Sequence, residues 1–394
     1  MMLIGNVCSK LCAEDLFVAR FPPLDQSYSQ NKPLVDPGLP SGYIEFAPHD
    51  AFWYDVHAVA RASYFHDMRI EWSGQEATFG IEAVVAGAVG QRYGNWETQF
   101  FGEMFFNQPF NDNVLVDTAE RRSYLANFQI DTLELSRMFL ESRNGDLAFK
   151  LGKMATPFGR TYFPIVRNDF KDGPFIRTES ILWRETGLLI QWDPDPFVFA
   201  AAITNGSEDR DTNSSKALIS RVGVDTDTFA IGASIKWQDG IGSEGQKVYN
   251  NHIGMDFMVR KGRFTLSGEV IYDQYGFRRP GFDPNDITWP RSIYFRDQNR
   301  GLKQPIEGVG YYVNLDVNLE NWKWMFNYGE FYPRAIGDPR HDTTTRRGII
   351  KTIWHATPFL DMFTMVLIEN WLPNAQAGRV RQGVAVLTGF QSGF

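Results

Sequence analysis

The segment from Thr156 to Ser180 contains closely spaced charges of both signs. Its charged residues are Arg160, Arg167, Lys171 and Arg177 against Asp169, Asp172 and Glu179. Such charges set ion preference where they face a narrow aqueous passage, because a permeating ion there loses part of its hydration. The same charges could instead pair with one another and hold the segment against a wall. The sequence leaves both roles open.

The histidines do not form a catalytic or metal-binding pattern. They are scattered, at His49, His57, His66, His252, His341 and His355. None lies in a Gly-x-Ser-x-Gly context or at metal-ligand spacing, so we predict no enzyme, no metal and no cofactor. A formal net charge of -8 and a chain without a basic helix also argue against nucleic-acid binding.

The elements that carry these charges alternate at period two, the pattern of strands with one apolar and one polar face. In residues 307 to 319, Val309, Tyr311 and Val313 share one face, while Asn314 and Asp316 share the other. Residues 248 to 260 repeat the pattern, with Tyr249, Ile253 and Phe257 opposite His252 and Asp256. Both stretches are long enough to cross a bilayer at a tilt.

Applying this template to the whole chain predicts about sixteen strands, of which the fourth, sixth, fourteenth and fifteenth alternate poorly. The predicted strands are 51–64, 77–90, 96–107, 126–142, 146–155, 182–193, 196–205, 216–225, 228–238, 247–261, 264–275, 306–319, 323–332, 346–357, 361–371 and 378–394. Tight turns such as Arg143–Asp146 and Lys261–Arg263 alternate with longer segments such as 156–181 and 276–305. Short periplasmic turns and long extracellular loops are typical of bacterial outer-membrane barrels.

Composition agrees with a barrel. Mean hydropathy is -0.31, and no apolar run approaches the roughly 18 residues of a transmembrane helix. Aromatic residues nevertheless make up 15% of the chain. A soluble all-β protein is the alternative, but it has no reason to alternate its loop lengths. The terminal Phe394, on an alternating strand, resembles the signal that barrel insertion machinery recognises.

The N-terminal residues form a separate region. We interpret residues 1–13, which contain both cysteines, as a signal-peptide remnant and 14–50 as a periplasmic lead-in rich in proline and glycine. Residues 51–394 are predicted to form one closed antiparallel transmembrane β-barrel.

Two stretches resemble the phosphate-selective porin O and P family. The first runs from Asp146 to Lys153 and continues into Thr156-Pro-Phe-Gly159. The second comprises Glu185-Thr-Gly-Leu, Ile203-Thr-Asn-Gly-Ser207, Asp211-Thr-Asn213, Lys216 and Arg221. The resemblance covers about a fifth of the chain and implies a 16-stranded porin, commonly a homotrimer, with the third extracellular loop folded inward as the constriction.

The predicted inner face has mixed charge. Its principal residues are Arg61, Glu103, Lys150, Arg221, Asp256, Asp316, Arg379 and Arg381. The phosphate channels of the family use a ladder of basic residues, and none is evident here. The long loops at 276–305 and 333–345 are also basic, which would suit either a positive pore mouth or contact with outer-membrane lipid and anionic glycolipid.

The sequence therefore predicts an outer-membrane porin that passes small hydrophilic solutes, with a weak preference for anions. The alternative is a structural or adhesive barrel with a plugged lumen and no transport. An outer-membrane barrel enzyme is a third, less favoured interpretation.

Overall fold

The computed structural model describes residues 41–47, 50–67, 77–108, 132–160, 184–206, 215–241, 247–278, 306–335, 343–357, 360–373 and 381–393. Within these ranges, no helix is long and apolar enough to span a membrane.

Eighteen strands occupy the described ranges. They are β1 Ser41–Ala47, β2 Asp50–Asp67, β3 Ala77–Tyr93, β4 Trp96–Gln108, β5 Thr132–Asn144, β6 Leu147–Ala155, β7 Arg184–Trp192, β8 Phe197–Thr204, β9 Ala217–Asp225, β10 Phe229–Trp237, β11 Asp239–Ile241, β12 Lys247–Lys261, β13 Phe264–Arg278, β14 Ile306–Asn318, β15 Trp322–Ala335, β16 Thr343–Thr357, β17 Leu360–Pro373 and β18 Arg381–Gly393.

Sixteen of these strands, β2–β10 and β12–β18, form a closed antiparallel barrel. Each pairs with its neighbours in sequence, β10 pairs directly with β12, and β18 closes the ring against β2. Closure leaves none of the long strands with an open edge in the hydrocarbon layer, where an unpaired backbone group would be costly. The predicted barrel and its strand count are confirmed.

The connections alternate in length as the sequence predicts. Those at one end are two to four residues long, whereas those at the other end span seven to 28 residues. Glycine makes two of the tight turns possible, because Gly145 and Gly262 have φ of 55° and 58°, a region that side chains disfavour. The first barrel strand, β2, begins and the last, β18, ends at the side with the short turns, which is the periplasmic side in outer-membrane barrels.

The two faces of the wall are assigned correctly. Val309, Ile253 and Val270 are exposed on the outside, and Val313 keeps 39% of its surface. Its neighbour Asn314 keeps 7% and points inward with the buried Asp316. Phe257 and Leu266 are also exposed on the outside, Tyr311 and Leu315 are half-buried there, and the Tyr249 side chain is not among those described.

Two short strands were not predicted from the sequence. Residues 41–47 lie in the proline- and glycine-rich lead-in, and β1 pairs there with the first part of β2, from Ser41 opposite Asp55 to Ala47 opposite Asp50. On that side of β2, β18 reaches only as far as Val59, and the backbone beyond it needs hydrogen-bond partners. β1 supplies those partners, although the lead-in has no sustained apolar period. Similarly, β11 lies within a predicted long loop and extends the pairing along β12.

Candidate functional site: the charged barrel interior

A glycine bend in β6, at Gly152, precedes the third long connection, which follows the strand at residue 156. Gly152 has φ of 136°, and a Cβ there would lie 2.3 Å from the Met138 carbonyl oxygen, so a larger residue does not fit. After this bend, the consecutive Lys153 and Met154 are both buried. The bend thus disrupts the alternation of β6 just before the chain leaves the wall.

Residues 156–160 pack against the inner wall formed by β10, β12 and β13. The buried Phe158 ring lies 6.0 Å from the His252 ring in an edge-to-face arrangement. A Cβ at Gly254 would come within 3.0 Å of Phe158, so the glycine makes room for that ring. Gly159 N donates to Ser234 Oγ at 3.0 Å. The third long connection therefore starts inside the barrel.

Arg160 binds two carboxylates of the inner wall, one on β9 and one on β12. Its Nη2 lies 2.9 Å from Asp225 Oδ2, and its Nε lies 3.3 Å from Asp256 Oδ1. Its backbone N–H donates to Glu269 Oε1 at 3.0 Å. Arg160 is buried, so these contacts fix the segment to three strands at once. Arg160 therefore holds the segment through carboxylates of the wall, whereas the alternative raised from the sequence was pairing among the segment's own charges.

Asp256 is shared by two guanidinium groups. Arg221 Nη2 donates to Asp256 Oδ1 at 2.8 Å, and Arg221 Nη1 donates to Ser234 Oγ at 3.2 Å. Together with Asp225 and Glu269, the cluster contains two cations and three carboxylates. We name these five side chains, Arg160, Arg221, Asp225, Asp256 and Glu269, the acidic cluster. Its charge would be -1 if every member were ionised.

A second buried ion pair connects Glu185, in the second motif stretch, with Lys236 of β10. Lys236 Nζ and Thr204 Oγ1 both donate to the Glu185 carboxylate. All three side chains are buried on the inner face. Burying an ion pair is favourable only when further hydrogen bonds satisfy the remaining polar atoms, and Thr204 supplies one of them to Glu185.

A third group lines β4, β5 and β6. Arg137 Nε donates to Glu103 Oε1 at 3.0 Å, and Lys150 Nζ lies 3.6 Å from Glu141 Oε2. The Phe101 and Phe139 rings stack 5.0 Å apart beneath them. Arg137 lies 4.9 Å from the first ring and Lys150 lies 5.6 Å from the second. Cations, carboxylates and aromatic rings thus form one packed layer.

The wall of β15–β18 and β2 is different. Its inward-facing side chains are largely apolar and buried: Met325, Ile349, Ile353, Phe363, Met365, Leu367 and Leu387. We name these seven residues the apolar wall. Two cations flank it, with Lys351 Nζ and Arg61 Cζ at 5.1 Å and 5.6 Å from the Phe363 ring centre. Arg347 is buried on the same inner face.

Asp193 lies in the periplasmic turn between β7 and β8. Burial raises the pKa of its carboxyl group to about 6, and the hydrogen bond from Gln191 opposes part of that shift. Its backbone N–H donates to the Asp146 carbonyl oxygen at 3.0 Å.

The structure places most of the predicted lining residues on the inner face. Arg61, Glu103, Lys150, Arg221, Asp256 and Asp316 are all buried there, and Lys323 Nζ lies 3.0 Å from Asp316 Oδ2. Arg381 is the first residue of β18, but its side chain is not described. Arg167, Lys171, Arg177, Asp169, Asp172 and Arg379 lie outside the described ranges.

Several interior residues were not predicted from the sequence, among them Arg137, Asp225, Arg347 and Lys351. Arg347 and Lys351 lie on β16, a strand that alternates poorly because its inner positions Ile349 and Ile353 are also apolar. Their inward orientation follows from the pairing of β16 with β15, where Lys351 lies opposite the buried Met325. In the part of the chain that the structure describes, no group of three His, Cys, Asp or Glu side chains could hold a metal ion.

No family model and no curated protein matches the chain. Solved structures do match it. An anion-selective porin from Comamonas acidovorans superimposes with a TM-score of 0.59 at 10% identity, over 87% of this chain and 100% of that one. This chain has the fold of a bacterial outer-membrane porin. The outer membrane channel DcaP of Acinetobacter baumannii gives a TM-score of 0.61 at 10% identity, over 87% and 97% of the two chains. OmpF of Salmonella typhi, in complex with daunomycin, gives 0.59 at 9% identity, over 90% and 100%.

Proposed function

We propose that this chain is a passive diffusion channel for small hydrophilic solutes in the bacterial outer membrane. The observation that carries the proposal is the position of residues 156–160, which Phe158 and Arg160 hold inside a closed barrel. A segment fixed at that level narrows the lumen, and the charges around it act on a solute at close range. A barrel exterior of exposed apolar side chains suits it to the outer membrane.

We further propose a weak preference for anions. Apart from Arg160, the acidic cluster lies on β9, β12 and β13, whereas Arg61, Arg347 and Lys351 lie on the inner face of β2 and β16. These three cations outnumber the buried carboxylates of β2 and β17, which are Asp55 and Asp361. The charge near the apolar wall is therefore positive on balance. An anion would pass along that side. The remaining loop cations, Arg167, Lys171 and Arg177, would add to the positive side of the constriction.

Membership of the phosphate-selective porin O and P family is a narrower proposal. It is supported by the two motif stretches, because Lys153, Glu185 and Arg221 from those stretches are all buried in the interior. In the described strands, however, carboxylates accompany the cations, as in the pairs Lys236–Glu185 and Arg221–Asp256. We therefore propose general passage rather than phosphate specificity. A homotrimer remains part of the proposal; one structural match, OmpT of Vibrio cholerae, is described as a trimer form.

Single-channel recording in a planar bilayer tests the channel and its preference together. The chain should conduct, and its zero-current potential in a KCl gradient should show a small anion preference. Replacing Arg160, Arg167, Lys171 and Arg177 with Gln should move that potential toward cation preference. The matched control is Lys261→Gln, which removes one exposed cation at a periplasmic turn. Equal potentials for the loop variant and the control would refute a selectivity role for the loop.

A plugged barrel without transport is the second candidate, because the interior side chains are so completely buried. Leu387, Leu367 and Met365 of the apolar wall each have 0% exposure. A wall that faces an open aqueous lumen would leave such residues in contact with water. This candidate predicts no conductance in the same recording.

We propose no catalytic role for the chain. The buried His252 packs against Phe158, and His355 Nδ1 lies 2.8 Å from Asp361 Oδ1 at the periplasmic end of β16. Neither geometry places a histidine beside a serine nucleophile. A screen with ester and peptide substrates should show no turnover, and turnover abolished by His355→Ala would overturn this assignment.

A further inference from the structure

Three neighbouring strands carry a polar group on the outer surface of the barrel. Tyr311 of β14 pairs in register with Glu330 of β15, which pairs in register with Arg346 of β16. Arg346 Nε lies 2.8 Å from Glu330 Oε1, and Tyr328 Oη donates to the same oxygen. We name Tyr311, Tyr328, Glu330 and Arg346 the outer polar group.

Charge is unusual at these positions. Among the outward-facing side chains described within the strands, Glu330 and Arg346 are the charged ones away from a strand end, while Lys261 ends β12 at a turn. A charged side chain facing lipid costs about 2–4 kcal/mol at the bilayer midplane and about 0–1 kcal/mol near the interface. The pair is therefore expected near the interface.

The height of the group agrees with that expectation. Trp322 and Trp354 stack 6.1 Å apart at the periplasmic end of β15 and β16 and mark one membrane boundary. Glu330 lies eight residues along β15 from Trp322. At about 3.3 Å per residue and a tilt of about 40°, the outer polar group lies about 20 Å above the tryptophans. That level is close to the opposite boundary of an apolar band about 25 Å tall, where Tyr311 and Tyr328 suit an aromatic belt.

The two charges of the pair differ in accessibility. The Glu330 side chain is 7% exposed, accepts a hydrogen bond from Tyr328 and forms an ion pair with Arg346, whereas 42% of the Arg346 side chain is exposed. Glu330 thus holds Arg346 by its Nε side, and the exposed part of the arginine side chain faces the outer-leaflet interface. Guanidinium groups bind phosphate oxygens through paired N–H donors.

We infer that Arg346 forms a binding site for the phosphate group of an anionic lipid in the outer leaflet. A second copy of the chain is a poorer partner for Arg346. Among the described outward-facing side chains within the strands, the carboxylates are Glu330, which contacts Arg346 of its own chain, and Asp239 at the start of β11, which accepts from Asn251. A lipid phosphate can bind the exposed side of Arg346, and its acyl chains can lie against the exposed Ile350 and Phe326 below.

The test is mass spectrometry of the full chain in detergent, titrated with short-chain phosphatidic acid. The wild type should bind one lipid saturably per chain, and Arg346→Gln should weaken that binding by at least about tenfold. Glu330→Gln should bind as well as the wild type or better, because it removes a competing carboxylate and keeps the cation. Lys261→Gln, the matched loss of an outward cation at the other rim, should bind like the wild type.

Folding is controlled within the same series. Arg346→Gln leaves a buried carboxylate without its cation, so the double variant Glu330→Gln/Arg346→Gln, which has no unpaired charge, must also lose the site. Three results would overturn the inference: equal binding by wild type and Arg346→Gln, displacement of the lipid by an equal concentration of inorganic phosphate, or oligomer dissociation in Arg346→Gln when the wild type binds no lipid. Conductance does not enter this test, so failure of the proposed channel function would be seen separately.

Discussion

Two parts of the inner wall show how differently one barrel can fill its interior. On β9–β13, the inward-facing side chains form the acidic cluster, and residues 156–160 are anchored to them through Arg160 and Phe158. On β15–β18, the apolar wall buries Leu387, Leu367 and Met365 in the same orientation. Facing inward therefore does not determine polarity. On β9–β13 the charges hold residues 156–160 at a fixed point, because ion pairs are directional and apolar packing is not.

The largest effect is expected from Asp256→Asn. This change leaves Arg160 and Arg221 buried beside a neutral amide, so the free energy of unfolding should fall by about 3–5 kcal/mol. Urea unfolding followed by tryptophan fluorescence would measure it. The control Asp227→Asn changes an exposed carboxylate in the β9–β10 turn and should stay within about 0.5 kcal/mol of the wild type. A small effect at Asp256 would mean that the acidic cluster does not anchor the segment.

The apolar wall is tested by Leu387→Ala. Leu387 has 0% exposure, and removing a buried leucine side chain should lower the free energy of unfolding by about 2–5 kcal/mol. Val386→Ala, its half-buried neighbour on the outer face, should cost about 1 kcal/mol. If the two variants were equally stable, the apolar wall would be open to water and the contrast between the regions would disappear.

Asp193, in the periplasmic turn between β7 and β8, allows a test by pH. Its pKa is raised from 3.8 to about 6 in the folded chain, so folding favours the neutral acid. The contribution to stability is fully present below about pH 4 and is lost as the pH rises through 6. The loss should be at most about 3 kcal/mol. Comparing unfolding at pH 4.5 and pH 7.5 in wild type and Asp193→Asn would isolate it, since the variant should lack this component.

The smallest effect is expected from Gly232→Ala. A Cβ there would lie 2.4 Å from Arg221 Nη2, so the flexible guanidinium must shift away from Asp256. We expect a loss of about 1 kcal/mol in the free energy of unfolding, the usual value of one hydrogen bond. Gly348→Ala, on β16, meets no atom within 4 Å and should be neutral or slightly stabilising. Equal effects would indicate that Arg221 needs no fixed position.

The sequence predicts the bounds of a strand well where one face of the strand is apolar and the other is polar. The prediction of 247–261 matches β12 residue for residue, and 306–319 ends one residue beyond β14. The strands that alternated poorly include β16 and β17, where the apolar wall makes both faces hydrophobic. Period-two alternation does not identify these strands, because it depends on a difference in hydrophobicity between the two faces, and their inner and outer faces are both largely apolar.

The sequence by itself determined the closed barrel, its strand count, its two ends and the inward orientation of residues such as Arg221, Asp256 and Asp316. These properties follow from local rules: side chains alternate along a strand, and turn length alternates between the two ends. Only the tertiary structure decided which charges meet. Arg160 contacts Asp225 and Asp256, far along the chain, because the path of residues 156–160 across the interior depends on packing between Phe158 and Gly254. The pairing of β1 with β2 likewise depends on where β18 ends, and no local pattern records that.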